Sequence, residues 1–235
     1  MCGRFVRYSS PETFADLFGA RGAPSLVPSY NVAPSQPVLV ARNGKEEGRE
    51  LALLHWGLIP NWSEGLRTPY STINARADTV ATKPAFRYAF RHRRCLIGCD
   101  GYYEWKALGR FRQPYFIRRN DGAPFAFAGL WEHWEHGEER IDSCCIIVTE
   151  AAETLRGVHD RMPIIVDPAD YDAWMDQGLT DPVRLKPLLT PYASERMEAY
   201  PVSTRVNSPK NNHPDLIVHL SLPQTGDVTT PLTRR

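Results

Sequence analysis

The chain has 235 residues, 42% hydrophobic and 23% charged, with a formal net charge of +1. That is the composition of an ordinary soluble globular protein, long enough to bury a sizeable core. No apolar run approaches the roughly 20 residues that span a bilayer, and no apolar stretch behind a basic start marks a secretory signal, so the expectation is a cytoplasmic protein without a membrane partner. Cys2, Cys95, Cys99, Cys144 and Cys145 form no paired CxxC pattern, which argues against zinc. Cys95, Cys144 and Cys145 lie in apolar runs and read as buried strand residues.

The elements follow in chain order. "SSPETFADLFGA" predicts a helix, with Ser10 as cap, Pro11 at the first helical position and Gly19 at the end. "RGAPSLVPSYNVAPSQP" is rich in Pro, Ser and Gly and reads as an irregular loop. "VLVAR" and "ELALLHWGLI" read as strands, and "KPAFRYAFRHR" as a helix. Short β-rich runs come next: "RCLIGCDGYYEW", "PYFIRR", "FAFAGLWEHW" and "SCCIIVTEA". Asn120-Asp121-Gly122 between two of them predicts a hairpin. "RMPIIV" is a further strand, "ADYDAWMDQG" and "VRLKPLLT" are short helices, and "MEAYPVS" is a late strand. From 223 to 235 the chain is polar and without periodicity, and reads as a flexible tail behind a single domain over 1–222. Short strands joined by tight turns, with scattered helices, predict an α+β domain on a curved, barrel-like, mainly antiparallel sheet.

Several polar residues sit where packing does not ask for them. Cys2 follows an initiator methionine, so removal of Met1 exposes an α-amine and a thiol on one residue. Asn74 and Arg76 interrupt a strand-like segment. Glu104 stands between Tyr103 and Trp105, where burial raises a carboxyl pKa toward neutrality. His159, beside Asp160 and Arg161, is a natural proton shuttle. Each also fits a structural role: a turn for Asn74, an exposed strand face for Glu104, a capped loop for His159. "FRYAFRHRR" interleaves Arg87, Arg91, Arg93 and Arg94 with aromatic rings. It suits a phosphate backbone and unstacked bases, or equally a solvated amphipathic helix.

The ordered set "MCGRF", "YNVAPSQ", "WGLIPNW", "INARADT", "RRCLIGCDGYYEWK", "VHDRMP" and "VNSPKNN" resembles the SOS response-associated peptidase (SRAP) domain family over roughly residues 1–220. The resemblance implies a sensor and covalent shield of abasic sites in single-stranded DNA. Its catalytic cysteine, asparagine, glutamate and histidine fall on Cys2, Asn74, Glu104 and His159. Its DNA-contacting arginines fall on Arg4, Arg76 and Arg161. A further basic residue is expected on the helix with Arg87 and Arg91, and Trp62 and Trp105 are candidate surfaces for DNA. The expected partner is abasic single-stranded DNA, on the nucleoid if the source is bacterial. The chain is expected to be monomeric, and no metal or cofactor is implied. Two other readings remain: an N-terminal-cysteine peptidase or amidohydrolase, whose action includes autocatalytic Met1 removal, and a non-covalent single-strand binder.

Overall fold

The computed structural model describes residues 2–44, 46–66, 68 and 70–221. The tail predicted over 223–235 lies outside the described residues. Among the described residues no helix is long and apolar enough to cross a membrane.

Two sheets carry the fold. In the smaller, β3 (Ser29–Val32), β1 (Phe5–Arg7), β8 (Gly101–Leu108), β9 (Phe111–Arg119) and β14 (Met197–Pro201) lie side by side, antiparallel throughout. The larger runs through β12 (Arg161–Pro163), β11 (Glu139–Glu150), β10 (Phe125–His136), β7 (Arg94–Cys99), β4 (Pro37–Asn43), β5 (Arg49–Trp56) and β2 (Ala20–Arg21). β6 (Asn74–Arg76) adds to β11, and β13 (Ile165–Val166) to β10. β5 then meets β11 in parallel, His55 opposite Ser143 and Trp56 opposite Cys144. That last pairing closes β11, β10, β7, β4 and β5 into a small barrel.

Alternation sorts the barrel side chains. Cys95, Ile97, Phe127, Ile146 and Val148 share the interior with Val40, Leu54 and Trp56. Leu96, Ala126, Ala128, Cys145 and Ile147 face outward. The outer face is covered by α1 (Pro11–Phe18), α2 (Arg87–His92), α4 (Tyr171–Met175) and α5 (Pro182–Leu185), which supply Phe14, Phe90, Trp174 and Leu185 among others. α3 (Glu153–Arg156) follows β11. Strands buried on both faces lose the apolar-polar alternation, which is why "CCIIV" is uniformly apolar and Cys95, Cys144 and Cys145 are buried as read.

α1 begins and ends as its residues dictate: Ser10 Oγ accepts from Thr13 N at 3.2 Å, and Gly19 takes φ 57°. Four expectations change. The segment read as a loop over 21–37 contains β3, because Asn31 and its neighbours join the smaller sheet. The helix read over 83–93 is regular only over Arg87–His92; residue 83 to 86 is a turn closed by Phe86 N to Lys83 O at 3.0 Å, with Pro84 inside it. "RMPIIV" splits at Ile164, whose N–H reaches Ile147 and whose carbonyl accepts from Ala128. The Asn120-Asp121-Gly122 turn forms, with Gly122 at φ 70°, but makes no hairpin. β9 already has β8 and β14 on its two edges, so the turn hands the chain across to the barrel. The two-residue hairpin loops are instead Gly109-Arg110, between β8 and β9, and Gly137-Glu138, between β10 and β11.

Candidate catalytic site at the N-terminus

β1 brings the N-terminus to the barrel interior. Its Phe5 lies opposite Tyr102 on β8, and both rings point inward with Cys2. One turn motif fixes this junction: buried Asp100 accepts from Tyr8 N at 2.6 Å and Ser9 N at 2.9 Å, while Asp100 N donates to Val6 O at 2.8 Å. Glu104 stands two residues beyond Tyr102 and therefore shares its face of β8.

The four predicted reactive residues converge. Asn74, placed by β6 against Ile146 of β11, donates Nδ2 to the Cys2 carbonyl at 2.8 Å. Glu104 is 2% exposed, and its Oε2 lies 3.8 Å from His159 Nε2. His159 comes from the loop between α3 and β12. Its Nδ1 accepts from Arg161 N at 3.0 Å, so the neutral ring carries its proton on Nε2, toward Glu104. Asp160 Oδ1 is 2.9 Å from the same Nδ1, and its charge favours the protonated ring.

Burial sets the electrostatics. It raises the Glu104 carboxyl to about 7 and holds the His159 imidazole below its ordinary value. The Cys2 thiol is pushed far up by burial first and by the Glu104 charge second. The site therefore holds a protonated thiol, a neutral imidazole and a carboxyl poised between its two states near pH 7. Among the described residues no group of three His, Cys, Asp or Glu side chains is placed to hold a metal.

The predicted cations are placed unequally. Arg4 Nη1 donates to Asn31 Oδ1 at 2.7 Å and Val206 O at 2.9 Å. Arg76 pairs with Asp78. Arg161 follows His159 at the rim of a cleft of about 460 Å³ shared with Asp78, Glu150 and Arg156. Arg87 and Arg91 ride on α2, which packs Ala89 and Phe90 on the outer barrel face, across the wall from Cys2. Trp62 is 58% exposed on the loop after β5, anchored by Ile59 N to Ser143 Oγ at 2.8 Å. Trp105 lines a second cleft with His159.

The sequence reading missed Asn31. Buried inside β3, it accepts from Arg4 and donates Nδ2 to the carbonyls of Ser208 and Asn211 at 3.0 and 2.7 Å. It ties the "MCGRF" and "VNSPKNN" segments into one support behind Cys2. Trp105 Nε1 joins through Asn207 Oδ1 at 2.8 Å. The available signal was an asparagine between Tyr30 and Val32, in a stretch whose other residues suit a strand.

The chain is similar in sequence and in fold to known proteins. The profile of the family described as "SOS response associated peptidase (SRAP)" matches residues 1–209. The abasic site processing protein YoaM of Bacillus subtilis is 43% identical over 224 residues, covering 92% of this chain and 97% of the relative. The abasic site processing protein YedK of Escherichia coli is 31% identical, covering 92% and 99%. A protein of Bacteroides thetaiotaomicron with a known crystal structure superposes with a TM-score of 0.82 at 24% identity, over 94% of this chain and all of that one, which establishes the fold.

Proposed function

Since the chain belongs to the SOS response associated peptidase (SRAP) family, we propose that it senses and covalently shields abasic sites in single-stranded DNA. The observation that carries the reading is the Cys2 environment: its carbonyl is held by Asn74, and its thiol feels the buried Glu104, whose pKa is about 7.

With Met1 attached, the Cys2 nitrogen is an amide and cannot attack a carbonyl. Once Met1 is removed, the α-amine, with a reference pKa of about 8, is partly neutral at pH 7. An abasic deoxyribose equilibrates with its ring-opened aldehyde. The Cys2 amine adds to that aldehyde and water leaves, giving a Schiff base. The thiol then adds to the same carbon, its proton passes to nitrogen, and a five-membered thiazolidine ring closes. Closure is intramolecular and has a high effective molarity. An internal cysteine has the thiol without the amine, so position 2 is required. An open Schiff base is exposed to β-elimination and strand cleavage, and the closed ring blocks that route.

Each neighbour has a task. Glu104 accepts and returns the protons of the amine, the carbinolamine and the thiol, for which a pKa near 7 is well matched. His159, with Nε2 protonated, donates to the sugar ring oxygen and promotes opening. Asn74 fixes the Cys2 carbonyl and so the direction of the amine. Arg4, Arg76 and Arg161 hold the strand near the lesion by charge-assisted bonds, which makes binding salt-sensitive and nearly independent of sequence. Trp62 and Trp105 offer faces for unpaired bases.

The test is incubation of the protein, processed to begin at Cys2, with a single-stranded oligonucleotide carrying one abasic site. A heat-stable adduct that is lost in Cys2→Ala is expected. An adduct that persists in Cys2→Ala contradicts the reading.

A further inference from the structure

We infer that the cleft beside His159 seats the DNA strand on one side of the lesion only, with Lys106, Arg112 and Arg156 holding its phosphates and Phe111 stacking an unpaired base. The inference rests on the abasic-site reading above. The cleft, about 360 Å³, lies between the β8–β9 hairpin and the loop from Arg156 to Asp160. It opens directly on His159, so a strand lying in it continues the one that carries the reacting sugar.

The charge pattern selects the occupant. Half of the arginines among the described residues are spent on carboxylates, Arg42, Arg49, Arg76, Arg93, Arg118 and Arg205 among them. Lys106, Arg112 and Arg156 have no carboxylate within the 4.0 Å of an ion pair among the described residues. Arg156 uses Nε on the Ala151 carbonyl at 3.0 Å, which fixes its side chain. One exposed carboxylate, Asp160, also lines the cleft, so three cations stand against one anion. Three unneutralised cations converging on a cleft suit a polyanion. By contrast Arg4 is held by Asn31 and Val206, and Arg76 by Asp78. The neighbouring cleft at Arg161 sets two carboxylates, Asp78 and Glu150, against two arginines, one of them Arg156, which lines both clefts.

The hairpin tip adds the stacking surface. Leu108 and Phe111 face each other across the Gly109-Arg110 loop, 47% and 79% exposed. A two-residue turn needs no apolar pair so open to water. Phe111 and Leu108 share a strand face with Lys106, two residues back on β8, so a base stacked on the ring lies beside a phosphate that Lys106 holds.

The experiment measures equilibrium binding by fluorescence anisotropy across a salt series. Two oligonucleotides carry a tetrahydrofuran abasic analogue, which has no aldehyde and cannot be cross-linked. One extends only 5′ of the analogue, the other only 3′. For the variant with both Lys106→Ala and Arg112→Ala, the slope of log affinity against log salt is expected to flatten by about 1.4 with one oligonucleotide, two single-strand phosphate contacts being lost. With the other it is expected to stay unchanged. Phe111→Ala is expected to weaken the same oligonucleotide about fivefold or more without changing the slope. These residues are at the surface, so thermal melting is expected to match wild type. Equal losses on both oligonucleotides, or no loss on either, overturn the one-sided cleft while leaving abasic-site capture standing. Wild-type protein that binds neither oligonucleotide overturns the DNA reading itself, and the cleft with it.

Discussion

His159 Nε2 stands 3.8 Å from Glu104 Oε2, a partly exposed imidazole facing a nearly inaccessible carboxylate. In the proposed reaction the pair divides the acid-base work. Burial lowers the pKa of one and raises that of the other, so at pH 7 His159 is neutral and Glu104 is near half-ionised. Groups pushed toward each other in this way exchange protons with little driving force needed.

Glu104→Gln is expected to slow cross-linking about a hundredfold while leaving affinity for the uncross-linkable analogue unchanged. The wild-type rate should rise with pH through about 7, where Glu104 ionises, and the variant should lose that inflection. The sign on stability is fixed by the same shift. The folded pKa is raised from 4.5 to about 7, so the unfolded chain ionises first. Wild-type stability falls relative to Glu104→Gln as pH rises across that window, then stays level above it. Single-turnover rates and melting temperatures between pH 4 and 8 check both. Parallel loss of rate and DNA affinity would assign Glu104 to structure instead.

Asn74→Ala removes the bond to the Cys2 carbonyl and leaves that carbonyl without it. The expected stability cost is about 1 kcal/mol, a fall in Tm of about 2–4 °C. The larger effect should be on rate, about tenfold or more, because the amine loses its direction. A melting shift with an unchanged single-turnover rate would show that the bond only supports the fold.

Tyr102 lies on the same strand face as Glu104, yet its hydroxyl is buried and has no hydrogen-bond partner among the described residues. A stranded donor costs about 1–3 kcal/mol. Tyr102→Phe is therefore expected to raise Tm by about 2–4 °C without changing the cross-linking rate. Calorimetry that finds no gain, or a loss, contradicts this placement of the hydroxyl.

Local rules were enough for some parts of this protein and not for others. The caps of α1 and the buried cysteine strands follow from neighbours in sequence, and both form as read. The raised pKa of Glu104 followed from its bulky flanks, and burial produces it. The role of the Asn120-Asp121-Gly122 turn did not follow, because whether two strands pair depends on which edges are already taken, and β9 was filled by a strand some 80 residues later. The closure of the barrel by two residue pairs, His55 with Ser143 and Trp56 with Cys144, has no local signature either. In the site, residue types that carry chemistry stood out against apolar surroundings, whereas Asn31 serves by joining Arg4 to backbone carbonyls some 175–180 residues away, partners that its neighbours in sequence do not announce. The freedom of Lys106, Arg112 and Arg156 is likewise a matter of which carboxylates the fold brings near.

The most direct test of the central claim is the intact mass of the adduct between protein beginning at Cys2 and an abasic single-stranded oligonucleotide, before and after borohydride. A closed thiazolidine should weigh the sum of the two components less one water and should be unchanged by the reductant. An adduct that gains two hydrogens is an open Schiff base and contradicts ring closure by the Cys2 thiol. Absence of any adduct from correctly processed protein contradicts capture altogether and leaves the N-terminal-cysteine hydrolase and the non-covalent single-strand binder.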